Sequence, residues 1–264
     1  MQLAKSWELH GKPPGGGKLP LVCTPLVGRT RAQILSVLAE IVVKRPDLLE
    51  WRVDFFDGIG DSQAVLDVAA NIKAAAAAIP VLFTCRSEKE GGEPIALTEV
   101  EVLALYAAVC RSGSVDMVDF EMGNAPVHIS ELREFTRAND IKLILSFHDF
   151  RATPNLQVLK QRFLQAQQLG ADFAKVAVMP RHPQDVLTLL SATLQSSEEL
   201  DIPLISMAMG EMGLLTRVFG WTFGSSVTFA AGANPSAPGQ LPIEDLRTAL
   251  AILRPSSRSN ISLP

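Results

Sequence analysis

The chain is expected to fold as a single α/β domain, a closed (β/α)8 barrel of the TIM-barrel type. Three observations lead there. Short apolar, β-rich runs recur eight times along the 264 residues, helical stretches separate them, and the runs are apolar on both faces. Strands of that kind belong to a parallel sheet covered by helices, and eight units at this length point to closure. The open, doubly wound alternative wants a glycine-rich dinucleotide turn after an early strand. Val27-Gly28-Arg29-Thr30 lacks that spacing, and Gly210-Glu211-Met212-Gly213 comes too late and is too polar.

Taken in order, β-rich apolar runs predict strands at 19–24, 48–53, 80–86, 115–121, 141–146, 172–177, 202–208 and 225–229. Apolar spacing predicts helices at 31–43, 62–78, 98–112, 155–169, 184–196 and 241–253, with His128 near the start of another. The barrel is therefore expected over 19–254. Residues 1–18 read as an extension and linker that carries a small strand across the barrel floor, and 255–264 as a polar tail that frays. Between the last strand and last helix, 232–240 has glycines at its edges and prolines inside, which reads as a mobile lid.

Composition narrows the function. Hydrophobic residues make up 47%, enough for a large core, and the formal charge of −4 with no basic block argues against a nucleic-acid surface. Cys23, Cys85 and Cys110 are an odd number in apolar settings with no short-spaced pair, so neither a disulfide framework nor a zinc site is indicated. No apolar run is long enough to span a bilayer or to serve as an export signal. A cytoplasmic protein with no membrane partner is expected.

The chemistry centres on Lys175, which sits in the otherwise apolar run Ala171-Asp172-Phe173-Ala174-Lys175-Val176-Ala177-Val178. Lost hydration there disfavours the ammonium and favours a nucleophilic amine. The common alternative is a lysine that snorkels or pairs with a carboxylate. The preceding strand ends Ser146-Phe147-His148-Asp149, so a proton-transferring histidine stands beside the lysine at one barrel mouth. The second strand carries Glu50, Arg52 and Asp54, whose period of two puts all three on one face. Arg86 ends the third strand, where it suits an anion or hydroxyl ligand, and Asp119 with Glu121 ends the fourth as partners that orient the lysine or arginines. A divalent-metal site built from Glu50, Asp54, Asp119, Glu121 and His148 is the competing reading. Arg52, Arg86 and Lys175 in the same mouth would repel the cation, so no metal and no other cofactor is expected.

Together these motifs resemble the type I 3-dehydroquinate dehydratases from about Leu19 to Leu253. The resemblance rests on Glu50-Trp51-Arg52-Val53-Asp54, Phe83-Thr84-Cys85-Arg86-Ser87 with Glu90-Gly91-Gly92-Glu93, Ser146-Phe147-His148-Asp149-Phe150, Lys175 with Met179-Pro180, and Ser236-Ala237-Pro238-Gly239-Gln240. It implies that Lys175 forms an imine with the ketone of 3-dehydroquinate, that His148 is the general acid/base, and that Glu90 orients His148. It further implies that Glu50, Arg52, Arg86, Arg217, Ser236 and Gln240 line the substrate pocket, with Arg217 on the carboxylate, and that the enzyme is a homodimer. Two positions depart from the family pattern, Phe147 for an asparagine found in some members and Pro25 for a serine. Either is expected to alter pocket hydration or substrate preference without removing a catalytic group. Two other classes of protein remain in view: a class I aldolase acting on a sugar phosphate, and a non-catalytic barrel that binds a sugar acid.

Overall fold

A computed structural model describes residues 8–9, 19–233 and 236–253. Eight parallel strands form one sheet: β1 (Leu21–Leu26), β2 (Leu48–Arg52), β3 (Val81–Thr84), β4 (Met117–Glu121), β5 (Lys142–Asp149), β6 (Phe173–Val178), β7 (Leu204–Ala208) and β8 (Val227–Phe229). Their order around the sheet is β7-β6-β5-β4-β3-β2-β1-β8. Closure follows at Ser226, whose N–H donates to the Leu204 carbonyl at 2.7 Å beside a parallel bridge between Leu204 and Ser225. The result is the (β/α)8 barrel that the repeated apolar runs predict.

The covering helices are α1 (Arg31–Val42), α2 (Ser62–Ala76), α3 (Glu99–Arg111), α4 (Pro126–Ala138), α5 (Leu156–Gln168), α6 (Pro183–Glu199), α7 (Leu214–Phe219) and α8 (Ile243–Leu253). Several starts are written in short-range chemistry. Thr30 and Thr98 form capping boxes with Gln33 and Glu101, Asp61 and Asn155 accept first-turn N–H groups, and Pro126 and Pro183 stand at first helical positions. His128 is the third residue of α4, as expected. The six residues of α7 carry no helical signal of their own, and that short helix holds Arg217.

Strand alternation divides the core in two. Leu21, Cys23, Leu48, Leu82, Met117, Ile144, Phe173, Ile205 and Val227 fill the lower barrel interior, while Leu49, Trp51, Phe83, Val118, Phe120, Leu143, Leu145, Ala174 and Val176 face the helices. Leu9 is buried with the interior group; the rest of the expected extension and the tail from 254 onward lie outside the described residues. The same parity that sends Leu48, Met117, Ile144 and Phe173 inward carries Glu50, Asp119, Ser146 and Lys175 into the layer above. All three cysteines are buried and free, and burial pushes the Cys85 and Cys110 thiols up to about 12. They behave as small core residues, not as reactive groups.

One buried hydroxyl braces the site from outside. Tyr106 of α3 donates to the Asp119 carbonyl at 2.6 Å and accepts from the Cys85 N–H at 2.8 Å, with its ring edge-on to Phe83 and Phe120. Tyr106→Phe keeps the ring and leaves both backbone groups unpaired, at a cost of about 1–3 kcal/mol. The melting temperature is expected to fall by roughly 2–4 °C per kcal/mol lost for a domain of this size. An unchanged thermal melt would show that the hydroxyl braces nothing.

Candidate active site

Glu50, Arg52, Arg86, Glu90, His148, Lys175, Arg217, Ser236 and Gln240 all line one half-open cavity of about 500 Å³, mouth included. Every site residue expected from the sequence is thus brought together. They arrive from β2, β6, β5, α7, and the segments after β3 and β8, which explains how residues so far apart in the chain meet.

Lys175 is the third residue of β6 and is 3% exposed. Its Nζ donates to Asp119 Oδ2 at 2.7 Å, stands 3.5 Å from Glu50 Oε1, and lies 4.7 Å from the Phe229 ring centre. Of the alternatives weighed from the sequence, carboxylate pairing is present: side chains from β4 and β2 reach the amine, with Asp119 in the expected role of a partner to the lysine. Glu50 is itself held by Thr84, whose Oγ1 donates to Oε1 at 3.0 Å.

Asp119 is fully buried. Its Oδ1 accepts from Ser146 Oγ at 2.6 Å and from an Arg86 terminal nitrogen at 2.7 Å. Burial alone would push its carboxyl up; the Arg86 and Lys175 cations override that and hold it well below the usual carboxylate range. Arg86 also donates to Glu121 at 3.2 Å and Ser146 at 2.8 Å, and stands 3.8 Å from Glu90. Arg86 thus lies between three acids and holds them apart. Arg52 grips Asp54 through two bonds of 2.8 and 2.7 Å. Asp54 leaves the strand for the 3-10 turn Val53–Phe55 and accepts the N–H groups of Arg86 and Glu93. The expected inward row of three charges holds for Glu50 and Arg52, while Asp54 anchors the loop after β3.

His148 of β5 points its Nδ1 at Glu90 Oε2, 2.8 Å away, and its backbone N–H donates to the same oxygen at 3.0 Å. Burial, with the Arg86 and Lys175 cations, holds the imidazole well below its ordinary value, so it is neutral near pH 7. Burial, with Glu121 adding to it, pushes the Glu90 carboxyl up to about 8. Glu90 closes the 3-10 turn Glu88–Glu90, and the next residue, Gly91, has φ +84° with its Cα against the Phe150 ring. A side chain there would meet both a left-handed backbone and that ring.

Arg217 differs from the other cations. It is 2% exposed, donates to the Phe229 carbonyl at 3.3 Å and the Pro238 carbonyl at 3.1 Å, and leaves Nε buried without a partner. Burial lowers it to about 10, which leaves it charged at neutral pH. No carboxylate among the described residues bonds to it. Opposite stands the segment after β8, where Ser236 N–H donates to Gln240 Oε1 at 2.8 Å and Gln240 Nε2 to Ser236 Oγ at 3.3 Å. Gly239 packs on the Gly210 carbonyl with φ +76°, and Gly210 N–H donates to Pro238. Residues 234–235 of the expected lid lie outside the described residues.

The two departures do not reach the cavity. Phe147 points outward beneath the Arg162 guanidinium, 4.6 Å from its ring centre, and Pro25 is buried in β1 without lining the pocket. The expectation that they change pocket hydration is corrected accordingly. Neither do the spare histidines: His128 bonds Glu99 at 2.6 Å and His182 caps α6, while His10 lies outside the described residues. Among the described residues no three His, Cys, Asp or Glu side chains are arranged to hold a metal ion; Arg86 and Lys175 occupy the spaces between the acids. Sequence reading passed over the apolar wall of Ala177, Met207, Met209 and Phe229, which gives no signal because apolar strand ends look like core.

The family model for type I 3-dehydroquinase matches residues 22–257. The 3-dehydroquinate dehydratase of Albidiferax ferrireducens is 59% identical over 254 residues, 96% of each chain. The chain belongs to the type I 3-dehydroquinase family. Its fold superposes on the crystal structure of the Geobacillus kaustophilus 3-dehydroquinate dehydratase with a TM-score of 0.93 at 48% identity, over 98% of this chain and 100% of that one. The type I enzyme of Clostridium difficile, solved with covalent modified comenic acid, gives 0.89 at 34% identity, over 95% and 98%. As a member of this family the chain is a hydro-lyase, a 3-dehydroquinate dehydratase of the shikimate pathway.

An unpaired buried cation is a cost that a bound anion removes. Arg217→Met is therefore expected to leave the ligand-free protein at least as stable as the wild type in a thermal melt, and to abolish the stabilisation that saturating substrate confers. A fall of several degrees without ligand would show that Arg217 serves the two backbone carbonyls instead.

Proposed function

We propose that this dehydratase works through an imine on Lys175, with His148 moving protons and Arg217 holding the substrate carboxylate. The observation that carries the reading is the placement of a buried lysine and a neutral histidine on adjacent strands of one cavity whose remaining cation, Arg217, lacks an acid. Lys175, paired as its ammonium with Asp119, passes a proton to the C3 carbonyl oxygen of 3-dehydroquinate as its nitrogen attacks, and loss of that oxygen as water gives an iminium, which acidifies the C2 proton. His148 removes that proton to form an enamine. The enamine expels the C1 hydroxyl, protonated by His148, and hydrolysis of the conjugated iminium releases 3-dehydroshikimate and the free lysine. The covalent modified comenic acid of the Clostridium difficile relative is in line with a nucleophile in this family.

Glu50, Arg52 and Arg86 suit the ring hydroxyls, and Ser236 and Gln240 close the cavity over the carboxylate side. The apolar wall of Met207, Met209 and Phe229 excludes water from the reacting carbons. A sugar-phosphate aldolase would want a phosphate cradle after β7 and β8, where this chain has a guanidinium and a proline-containing segment. A plain binding barrel has no use for the Lys175 and His148 pair. The homodimer is retained as a proposal, and a monomer mass by sedimentation would overturn it.

Borohydride added with substrate should reduce the imine and add the adduct mass to the peptide bearing Lys175, and Lys175→Ala should be inactive. An unmodified Lys175 in wild type would end this reading. His148→Ala should still be trapped while turnover falls roughly a hundred- to ten-thousandfold, the usual range for a lost general acid/base. Activity should persist after exhaustive chelation; its return only on adding magnesium or zinc would promote Glu50, Asp119 and Glu121 to metal ligands.

The pH profile separates Glu90 from His148. An ionised Glu90 accepts the Nδ1 hydrogen and leaves Nε2 free as the base. A protonated Glu90 donates to Nδ1 and moves the ring hydrogen to Nε2. Since Glu90 is pushed up to about 8 and His148 lies well below its ordinary value, kcat/KM should fall as pH drops through about 8. Glu90→Gln should flatten that limb, and a limb that persists unchanged in this variant would assign it to another group.

A further inference from the structure

We infer that Asp119 is the fixed counter-ion of the reacting nitrogen, pairing first with the Lys175 ammonium and then with the iminium, and that Ser146 is the positioning residue that keeps its second oxygen free for that task. The inference rests on the Lys175 imine proposed above. It goes beyond it by assigning roles to two residues that do not line the cavity.

The two oxygens of Asp119 are divided. Oδ1 is taken by Ser146 Oγ at 2.6 Å and by Arg86 at 2.7 Å, from β5 and the end of β3. Oδ2 is left to Lys175 Nζ at 2.7 Å. A carboxylate so held has no freedom to turn, and its full burial removes water as a competing partner. Glu50 is a poorer candidate, since it stands 3.5 Å from Nζ and its near oxygen already accepts from Thr84.

Charge conservation is the chemical reason. An ammonium R–NH3⁺ and a ketone O=C condense to R–NH⁺=C and H2O: the C=N bond forms, the C=O oxygen leaves as water with two of the nitrogen's hydrogens, and one positive charge is present on each side. A negative group that does not move therefore meets the same charge before and after the step, and the nitrogen stays tethered beside it. No buried charge is made or lost, which is the condition for electrostatic stabilisation without reorganisation. The depressed carboxyl of Asp119 means that it stays ionised and is a poor base, so it stabilises the nitrogen without taking its proton. The groups that also face this pair are Cys23 from β1, Glu50 and Arg52 from β2, Arg86 past β3, Glu121 from β4 and His148 from β5, with Glu90 behind His148.

The test is Asp119→Asn, read by borohydride trapping with 3-dehydroquinate across pH and by steady-state kinetics. Without the counter-ion the iminium gives up its proton at lower pH and ceases to be an electron sink. Trapping on Lys175 should fall away at least about one pH unit earlier than in wild type, and kcat should drop roughly a hundred- to a thousandfold, the scale of one lost electrostatic contact, with KM changed little. Ser146→Ala, which removes the bonds to Asp119 and from Arg86 but no charge, should shift the trapping profile in the same direction with a several-fold loss in kcat, and it decides the matter if Asp119→Asn does not fold. A folded Asp119→Asn with wild-type trapping profile and kcat within twofold would overturn the inference, as would an unshifted Ser146→Ala where only that variant folds. Wild type that cannot be trapped at Lys175 would instead overturn the imine reading on which it stands.

Discussion

The buried pairing of Asp119 with two cations is the interaction on which the rest of this site depends. Arg86 and Lys175 approach the same carboxylate from the segment after β3 and from β6, and each would be prohibitively costly to bury alone. Asp119 cannot be spared either, because its own burial is offset by those two charges. The three form a unit in which removing one partner leaves the others uncompensated. That explains why so many charged side chains sit at under 8% exposure in a barrel otherwise filled with Leu, Ile, Val and Phe.

Outward from this unit the charges alternate. Arg86 reaches Glu121 and approaches Glu90, Glu90 holds His148, Arg52 holds Asp54, and Asp54 returns to the backbone of Arg86 and Glu93. Ion pairs and hydrogen bonds together place these groups, so the loop after β3 is tied to strands on both sides of it. Arg217 stands apart from this arrangement. Its guanidinium has backbone carbonyls and a thioether for company, and the missing negative charge is what a carboxylate-bearing substrate would supply. A network closed on itself at one wall and open by one charge at the other is a physical basis for orienting an anionic ring.

His148 and Glu90 show how the same burial serves opposite ends. The apolar surroundings and the neighbouring cations disfavour imidazolium, and the same loss of water with the nearby Glu121 disfavours carboxylate at Glu90. Pushing an acid up and a base down lets a proton shared between the two groups move at modest cost. The constraint that produces this is geometric, since Gly91 must adopt a left-handed backbone against Phe150 for Glu90 to reach β5.

The linear chain by itself determined the repeat of strands and helices, the closure implied by eight units, and the inward direction of Glu50, Arg52, Asp119, His148 and Lys175, because side-chain parity and apolar periodicity are local properties. Motifs such as Glu50-Trp51-Arg52 and Ser146-Phe147-His148 also made the family legible, since each is a contiguous run readable in a short window of sequence. Only the tertiary structure decided who faces whom. Asp54 looked like a third inward charge until the strand ended at Arg52 and a 3-10 turn carried it away. Whether Asp119 oriented Lys175 or the arginines stayed open, because the lysine and that carboxylate lie 56 positions apart. Phe147 looked like a pocket residue, and strand parity turned it to the helices. Pairing across a barrel depends on strand register and on closure between β7 and β8, and neither is encoded in any short window of residues.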